Sequence, residues 1–530
     1  MANRNLMKIK INKQNKEILS HGENILSSLI ENKVDINNFC NGRGTCGKCK
    51  VKILKGNISS LRSEEKSLLS PAEQNANIRL ACLTYPKTDI EISIESKKSD
   101  IKVLDQGQIP KFKMDYRTGF GLALDIGTTT LAMNLINLSN GEILDKISSI
   151  NPQSKYGLDV MTRITYEYEN EKGILHLKNA IVDTINQMIK ELCQNNQVAG
   201  ESIKQMLVAA NTTMLHMLLG KDARSLGKYP YKAEFLSTQR LLANEIGIDL
   251  KARLITLANV SAFVGSDIVA GVYLTDLKNK KNTLFIDIGT NGEIVLKTKD
   301  KLYCCSTAAG PALEGMNIEC GMRAESGAIE RVKISDEKIF IETIGGEKSK
   351  GICGSGLLSA VSQVVANEFV NKRGRIVDPD KLAVNDFRKK YIKEDEKKGR
   401  IIILDEKSKI YLSQKDIRQV QLAKGAILSG FVTLLKAENM EISDLNSVII
   451  AGGFGSHLKK EDIIGVGILP KEAENMITYV GNSSLIGAYM ALMNNKIIDQ
   501  IENLSKEIYY VELSTTENYE RTFAKSMQFN

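Results

Sequence analysis

The 530-residue sequence predicts a multi-domain α/β protein, with a small β-rich N-terminal domain ahead of a duplicated α/β core. Three observations carry this expectation. The length exceeds what one hydrophobic core supports. The first hundred residues combine short alternating strands with a cysteine-rich loop. An Asp-x-Gly-Thr turn between apolar runs then occurs twice, 162 residues apart.

Composition narrows the class. Hydrophobic residues make up 42% and charged residues 25%, the balance of an ordinary globular protein. The N-terminus, Asn3 to Lys8, lacks the apolar core of a signal peptide. No apolar run approaches the roughly eighteen residues that span a bilayer. A cytoplasmic chain with no membrane partner is therefore expected. Net charge is +8 and unevenly placed: residues 1–98 hold 17 Lys+Arg against 10 Asp+Glu, and residues 99–118 hold 4 against 3. The remaining 412 residues hold 50 of each. Nucleic-acid binding wants stacking aromatics among its basic residues, and the basic segment offers only Phe39 and Tyr85. No nucleic-acid partner is expected. A solvated surface or a docking face for an acidic protein remains.

Residues 1–98 form the first domain. Met7 to Ile11 alternates as a half-buried strand, Lys50 to Leu54 does so again, and Asp89 to Ile94 closes the domain. Ile25, Leu26, Leu29 and Ile30 share one helical face. Between them lies Cys40-Asn41-Gly42-Arg43-Gly44-Thr45-Cys46-Gly47-Lys48-Cys49, with Cys82 following in Arg79-Leu80-Ala81-Cys82. Three thiolates on one loop and a fourth from a distance suit a two-iron cluster. The glycines permit positive φ and let backbone N–H groups face the sulfurs. Zinc sites usually pair their ligands in two short units, and Cys82 has no close cysteine neighbour. The other five cysteines (Cys193, Cys304, Cys305, Cys320, Cys353) read as buried thiols.

Residues 99–118 read as a linker, and residues 119–530 as the second domain, with subdomains at 119–280 and 281–495 plus a C-terminal tail. The first apolar strand runs through Leu124-Asp125-Ile126-Gly127-Thr128-Thr129-Thr130; the second runs through Ile286-Asp287-Ile288-Gly289-Thr290-Asn291-Gly292-Glu293. Ser447 to Ala451 is a third strand, ending in the glycine turn Gly452-Gly453-Phe454-Gly455. Gly354-Ser355-Gly356 opens an apolar helix whose N-terminus offers N–H groups to an anion. A long helix fills Asp416 to Met440. His216 sits on a helix starting at Asn211 or Thr212, where a packed histidine is expected rather than a ligand.

These motifs carry resemblances. The cysteine loop with its strands resembles the β-grasp fold of two-iron ferredoxins, with the five-residue first spacer of the adrenodoxin branch. The two hairpins and the glycine turn resemble the phosphate and adenosine motifs of the actin, sugar kinase and heat-shock chaperone superfamily, whose core is a duplicated RNase H-like unit. Together they resemble the reductive activators of corrinoid proteins. Asn151-Pro152-Gln153, Asn211-Thr212-Thr213-Met214-Leu215-His216, Gly310-Pro311-Ala312-Leu313-Glu314-Gly315 and Gln421-Leu422-Ala423-Lys424-Gly425-Ala426 also look like that family.

The resemblance implies a 2Fe–2S cluster on Cys40, Cys46, Cys49 and Cys82, with ATP and Mg2+ at the second domain. Asp125 and Asp287 would hold the magnesium through water, and one of them would orient the attacking water. Gly127, Thr128, Thr129, Thr130, Gly289, Thr290, Asn291, Gly292 and Glu293 would surround phosphate. Gly310, Gly354, Ser355, Gly356, Gly452, Gly453, Phe454 and Gly455 would complete the nucleotide site. The implied activity is ATP-dependent, one-electron reduction of Co(II) corrinoid to Co(I) on an acceptor protein, with electrons from an unidentified low-potential donor. A homodimer is plausible on the same basis. The rival readings are a redox-sensing, nucleotide-dependent regulatory protein, an activator of a 2-hydroxyacyl-CoA dehydratase, and a small-molecule kinase.

Overall fold

The structure, a computed structural model, describes residues 6–529 except 13–15, 33, 35, 37–41, 43, 45–46, 48, 70, 95–108, 454 and 456–457. It falls into two compact units: residues 1–100 with 152–166, and residues 101–151 with 167–530.

The first unit is built on a five-stranded sheet of β1 (Met7–Asn12), β2 (Lys16–Ser20), β3 (Lys50–Lys55), β4 (Ile78–Leu80) and β5 (Ile90–Ser93). Their spatial order is β2-β1-β5-β3-β4. β1 pairs parallel with β5 and antiparallel with β2, while β3 pairs antiparallel with β5 and β4. This is the expected β-grasp. Period-two alternation explains β1: Ile9 and Ile11 are buried, and Lys8 and Lys10 are exposed. The helix Ile25–Glu31 starts where the Asn24 side chain accepts the Ser27 N–H at 2.9 Å. It buries Ile25, Leu26 and Leu29 against Ile9, Val51, Leu80 and Ile92. The inserted segment 152–166 carries a fully buried Arg163, whose guanidinium donates to the Gly157 carbonyl and the Gln153 side chain.

The second unit contains two six-stranded sheets. The first holds β6 (Phe120–Ile126), β7 (Thr130–Asn137), β8 (Ile143–Ile150), β9 (Ile203–Ala210), β10 (Gln239–Leu242) and β11 (Arg253–Thr256). The chain continues with β12 (Thr283–Ile288), β13 (Gly292–Lys297) and β14 (Leu302–Thr307). Two three-stranded sheets follow, one of β15 (Ala328–Ser335), β16 (Lys338–Thr343) and β17 (Gly351–Ile352), the other of β18 (Ile392–Asp395), β19 (Gly399–Asp405) and β20 (Ile410–Ser413). Then come β21 (Ser447–Ala451), β22 (Ile477–Gly481) and β23 (Ile508–Tyr510). The two large sheets run β10-β11-β9-β6-β7-β8 and β22-β21-β12-β13-β14-β23.

The duplication is visible in that order. Each sheet has an antiparallel three-strand meander (β6-β7-β8; β12-β13-β14). Beside the first strand of each meander run two parallel strands (β9 and β11; β21 and β22). This is the RNase H-like pattern, laid down twice. Each fifth strand leads into an apolar helix, Ser266–Leu274 in one lobe and Ser483–Met493 in the other. One core gathers Ala123 and Leu207 of the first sheet, Phe285 and Ile449 of the second, and residues of both helices. The helices meet closely at Gly487, where a Cβ would lie 2.6 Å from the Ala270 Cβ.

The helix Gln414–Ala437 has the length and mean hydropathy, 1.3, of a membrane span, yet most of it is buried inside the second lobe. Ser413 and Asp416 cap its start reciprocally. Residues 109–118 of the expected linker pack along the helix Ser483–Met493. There Asp115 N–H donates to Met493 O, the Arg117 guanidinium to Leu492 O, and Phe112 meets Tyr489 edge-on at 6.0 Å.

Candidate functional site

In the first unit, Cys49 lies just before β3 and Cys82 just after β4, and the Ala81 N–H donates to the Cys49 carbonyl at 2.8 Å. Their sulfurs are buried and 3.3 Å apart. That is far beyond a 2.05 Å disulfide and close to the roughly 3.8 Å between two thiolates on one tetrahedral metal. Gly42, Gly44 and Gly47 have φ of +79°, +70° and +65°. A side chain at Gly44 would meet Leu83 at 3.0 Å, so the loop is both left-handed and tightly packed. The described part of the loop thus fits a two-iron cluster. Cys40 and Cys46 lie outside the described residues.

The Cys82 segment is held from beneath by Glu65, which is fully buried. Its carboxylate accepts from Arg79 Nε and Nη2, the Leu80 N–H and the Thr84 hydroxyl at 2.6–3.2 Å. These bonds outweigh burial and hold the carboxyl below its ordinary range.

In the second unit the turns of the two hairpins face each other. Gly127–Thr129 joins β6 to β7, closed by the Gly127 N–H donating to Thr130 O; Gly289–Asn291 joins β12 to β13, closed by Gly289 N–H to Asn291 O. The hydroxyls of Thr129 and Thr290 are hydrogen-bonded at 3.0 Å, linking the tips of the lobes. Thr290 also donates to Glu314 Oε1 at 2.8 Å.

Five carboxyl groups gather behind these tips: Asp125, Asp267, Asp287, Glu293 and Glu314. Each is pushed above its ordinary range, first by burial. Asp287 rises to about 7 through burial and then through Asp125 and Glu314. Asp267 rises to about 8 through burial and then through Asp287 and Asp125. The two predicted aspartates differ. Asp125 accepts from Asn482 Nδ2 at 2.9 Å and the Ser484 hydroxyl at 2.7 Å, both at the start of the other lobe's connecting helix. Asp287 accepts no hydrogen bond among the described residues, and its charge acts on Asp267, at the start of the first lobe's connecting helix. Such crowding of buried carboxyls calls for a cation. Among the described residues no three acidic, His or Cys groups converge on one point.

The glycine turn after β21 passes over this cluster. Gly452 has φ +94°, and a Cβ there would lie 2.5 Å from Asp287 Oδ1. Gly453 and Gly455 continue the turn; Phe454 lies outside the described residues. Gly310, at φ +76°, has open space where its side chain would be and leads into the turn Pro311–Glu314 that carries Glu314. Gly354 and Ser355 start the helix Gly354–Ala366, with Ser355 Oγ 3.3 Å from Cys353 Sγ. Gly356 presses on β15, where a Cβ would fall 1.9 Å from Ile329 O; Gly292 faces Thr307 and Ile427. Glu293 receives a 3.4 Å bond from Ser306. His216 is the expected packed histidine: Nδ1 is 2.7 Å from Thr212 O, Nε2 accepts the Glu234 N–H, and the ring stacks on Phe235.

Sequence reasoning missed Asp267, Asn482 and Ser484. Asp267 follows Gly265-Ser266 at a helix start, and Asn482-Ser483-Ser484 occupies the equivalent place in the other lobe. Comparing the ends of the fifth strands of the two repeats would have shown both.

The fold and site define an iron–sulfur protein fused to an ATPase of the actin and sugar kinase superfamily. Residues 9–87 match the 2Fe–2S iron–sulfur cluster binding domain, residues 120–280 the RACo middle region, and residues 281–530 the C-terminal, ASKHA domain of RACo. The chain is 31% identical to the corrinoid activation enzyme RamQ of Eubacterium limosum, over 77% of this chain and 70% of that one. It is 23% identical to the [Co(II) methylated amine-specific corrinoid protein] reductase of Methanosarcina barkeri, over 77% of each. A solved structure of a reductive activator for corrinoid, iron–sulfur protein superposes with a TM-score of 0.70 at 31% identity, covering 99% of this chain and 98% of that one. The chain belongs to the family of reductive activators of corrinoid proteins.

Proposed function

We propose that this chain reduces the inactive Co(II) corrinoid of an acceptor protein to Co(I), one electron per event, with ATP driving the step. The observation that supports it most is the presence in one chain of a thiolate pair poised for a shared iron and a cation-seeking carboxylate cleft between two facing phosphate turns. A bound 2Fe–2S cluster supplies single electrons at low potential. Cys40, Cys46, Cys49 and Cys82 would hold it.

The residues of the second unit divide the nucleotide work. The turns Gly127–Thr130 and Gly289–Glu293 present N–H and hydroxyl donors to phosphate. Asp125, with both oxygens engaged by Asn482 and Ser484, is held in a fixed position at the mouth. Asp287, with no hydrogen-bond donor among the described residues and with Asp267 near it, would take the magnesium shell and orient the attacking water. Gly310, Gly354, Ser355 and the turn Gly452–Gly455, with Phe454, border the rest of the nucleotide. Electrons come from a low-potential donor, the acceptor docks on the basic first domain, and the chain works in the cytoplasm, as a homodimer.

The test is to add a corrinoid protein to the reduced, full-length chain and follow the visible spectrum of the corrinoid. Conversion from Co(II) to Co(I) that depends on ATP is the expected result. Equal rates without nucleotide would remove the coupling, and no re-oxidation of the cluster on adding acceptor would point to the redox-sensing alternative.

A further inference from the structure

Two of the motifs that mark the family, Asn151-Pro152-Gln153 and Asn211-Thr212-Thr213, lie far from the Asp-x-Gly-Thr turns in sequence, yet both asparagines meet one of them in space. Asn151 is fully buried and grips the first turn twice. Its backbone N–H donates to Thr129 O at 2.8 Å, and its side-chain amide donates to Gly127 O at 2.8 Å. Asn211 holds the residue between: its Nδ2 donates to the Thr128 hydroxyl at 3.2 Å, while its Oδ1 accepts the Met214 N–H at 2.9 Å and caps the helix Thr212–Leu219.

These contacts decide where the donors of the turn point. In a planar trans peptide the C=O and the following N–H are directed oppositely. With Gly127 O turned toward the Asn151 amide, the Thr128 N–H is turned away from it. The Thr128 hydroxyl, accepting from Asn211, is cast as a donor to anything beyond. Both clamps are neutral. A lysine or arginine here would neutralise the neighbouring carboxylates and compete with a bound cation, whereas an amide orients the turn without altering the charge of the site. The second turn is held differently, by the Thr290 hydroxyl on Glu314.

We propose that Asn151 and Asn211 are positioning residues for nucleotide phosphate: they orient the Gly127–Thr129 turn so that the Thr128 N–H and hydroxyl are presented to the phosphate. This rests on the nucleotide-site reading given above. Two neutral substitutions separate positioning from folding without adding charge beside the carboxylates. Asn211→Ser keeps the helix cap, since serine caps as well as asparagine, but removes the amide donor to Thr128. Asn151→Ser keeps the backbone bond to Thr129 and removes the amide donor to Gly127 O.

The experiment is calorimetric titration of MgATP into the full-length, cluster-loaded chain, with the melting temperature and the visible spectrum of each variant recorded beside it. Each variant should bind MgATP about tenfold more weakly, the effect of losing one oriented hydrogen bond at the ligand, and raise the KM for ATP by a similar factor. The kcat at saturating ATP and the cluster spectrum should stay at wild-type values, and the nucleotide-free melting temperature should fall by no more than a few degrees, the cost of one buried hydrogen bond. Binding within about twofold of wild type in both variants overturns the proposal. So does a loss of affinity that appears only with a collapse in melting temperature, which would make the asparagines merely structural. A wild-type chain that binds no MgATP would instead overturn the nucleotide-site reading itself.

Discussion

At the scale of single residues, the two ends of the chain should fail independently. Asp287→Asn should abolish ATP-stimulated corrinoid reduction while leaving the two-iron visible spectrum intact, because the residue belongs to the carboxylate cleft alone. Cys46→Ser should do the reverse, losing the normal cluster signal while MgATP still binds. A variant with serine at position 46 and an unchanged spectrum would refute the ligand assignment. Glu65 makes a sharper case. It serves four donors around the Cys82 segment from a fully buried position. Glu65→Gln leaves Arg79, which still donates to Ser59 O and Ser60 O, without its counter-charge in the core, which costs up to about 3–5 kcal/mol. We expect a lower denaturation midpoint for the first unit and faster loss of iron to a chelator.

At the scale of elements, the helix Gln414–Ala437 ties the C-terminal segment to the hairpin of the second lobe. On one side Ile427 abuts Gly292. On the other, Lys424 donates to Ser526 O and Gln528 O, and Gln421 donates to Met527 O. Lys424 is almost wholly buried, and burial pushes its ammonium group down to about 8. An unfolded lysine keeps its proton to about 10.4. Between these values the unfolded chain binds more protons than the folded one, so this group's contribution to stability rises with pH across that window. The stability of wild type relative to Lys424→Met should therefore grow from pH 8 to pH 10, by about 2 kcal/mol, in denaturant titrations at the two pH values. Gly356→Ala probes another junction. Its Cβ would fall on Ile329 O, so the helix must move off β15, and a loss of several kcal/mol is expected.

At the scale of the whole molecule, the chain's basic excess lies in its first 98 residues. If that face docks an acidic acceptor, the rate of corrinoid reduction should fall steeply as salt rises from about 50 to about 300 mM; a flat profile would remove the docking role. The fold class was legible because its signals are periodic or repeated. β1 alternates, and the two Asp-x-Gly-Thr turns announce a duplication that the sheet orders repeat. The short strands β2 and β4 carried too little pattern to be seen. The site was legible where one motif makes one turn, as with Asp125 and Asp287. It was not legible where distant elements complete it: Asp267, Asn482 and Ser484 are ordinary helix-start residues until the lobes face each other. Glycine was an ambiguous sign. Gly310 opens space, whereas Gly356 permits contact between a helix and a strand.

The hydroxyl bridge between Thr129 and Thr290 has a mechanical consequence. It joins the two turns one residue out of register, since Thr128 is the counterpart of Thr290, at 3.0 Å, one hydrogen-bond length. A phosphate oxygen accepting from both hydroxyls needs two such lengths meeting at an angle, so the threonine oxygens must stand about 4.4 Å apart. On the proposed site, where phosphate sits between them, the turns would part by about 1.4 Å on its entry. Nucleotide would then be a wedge, and the distance between the two threonines a gauge of its presence.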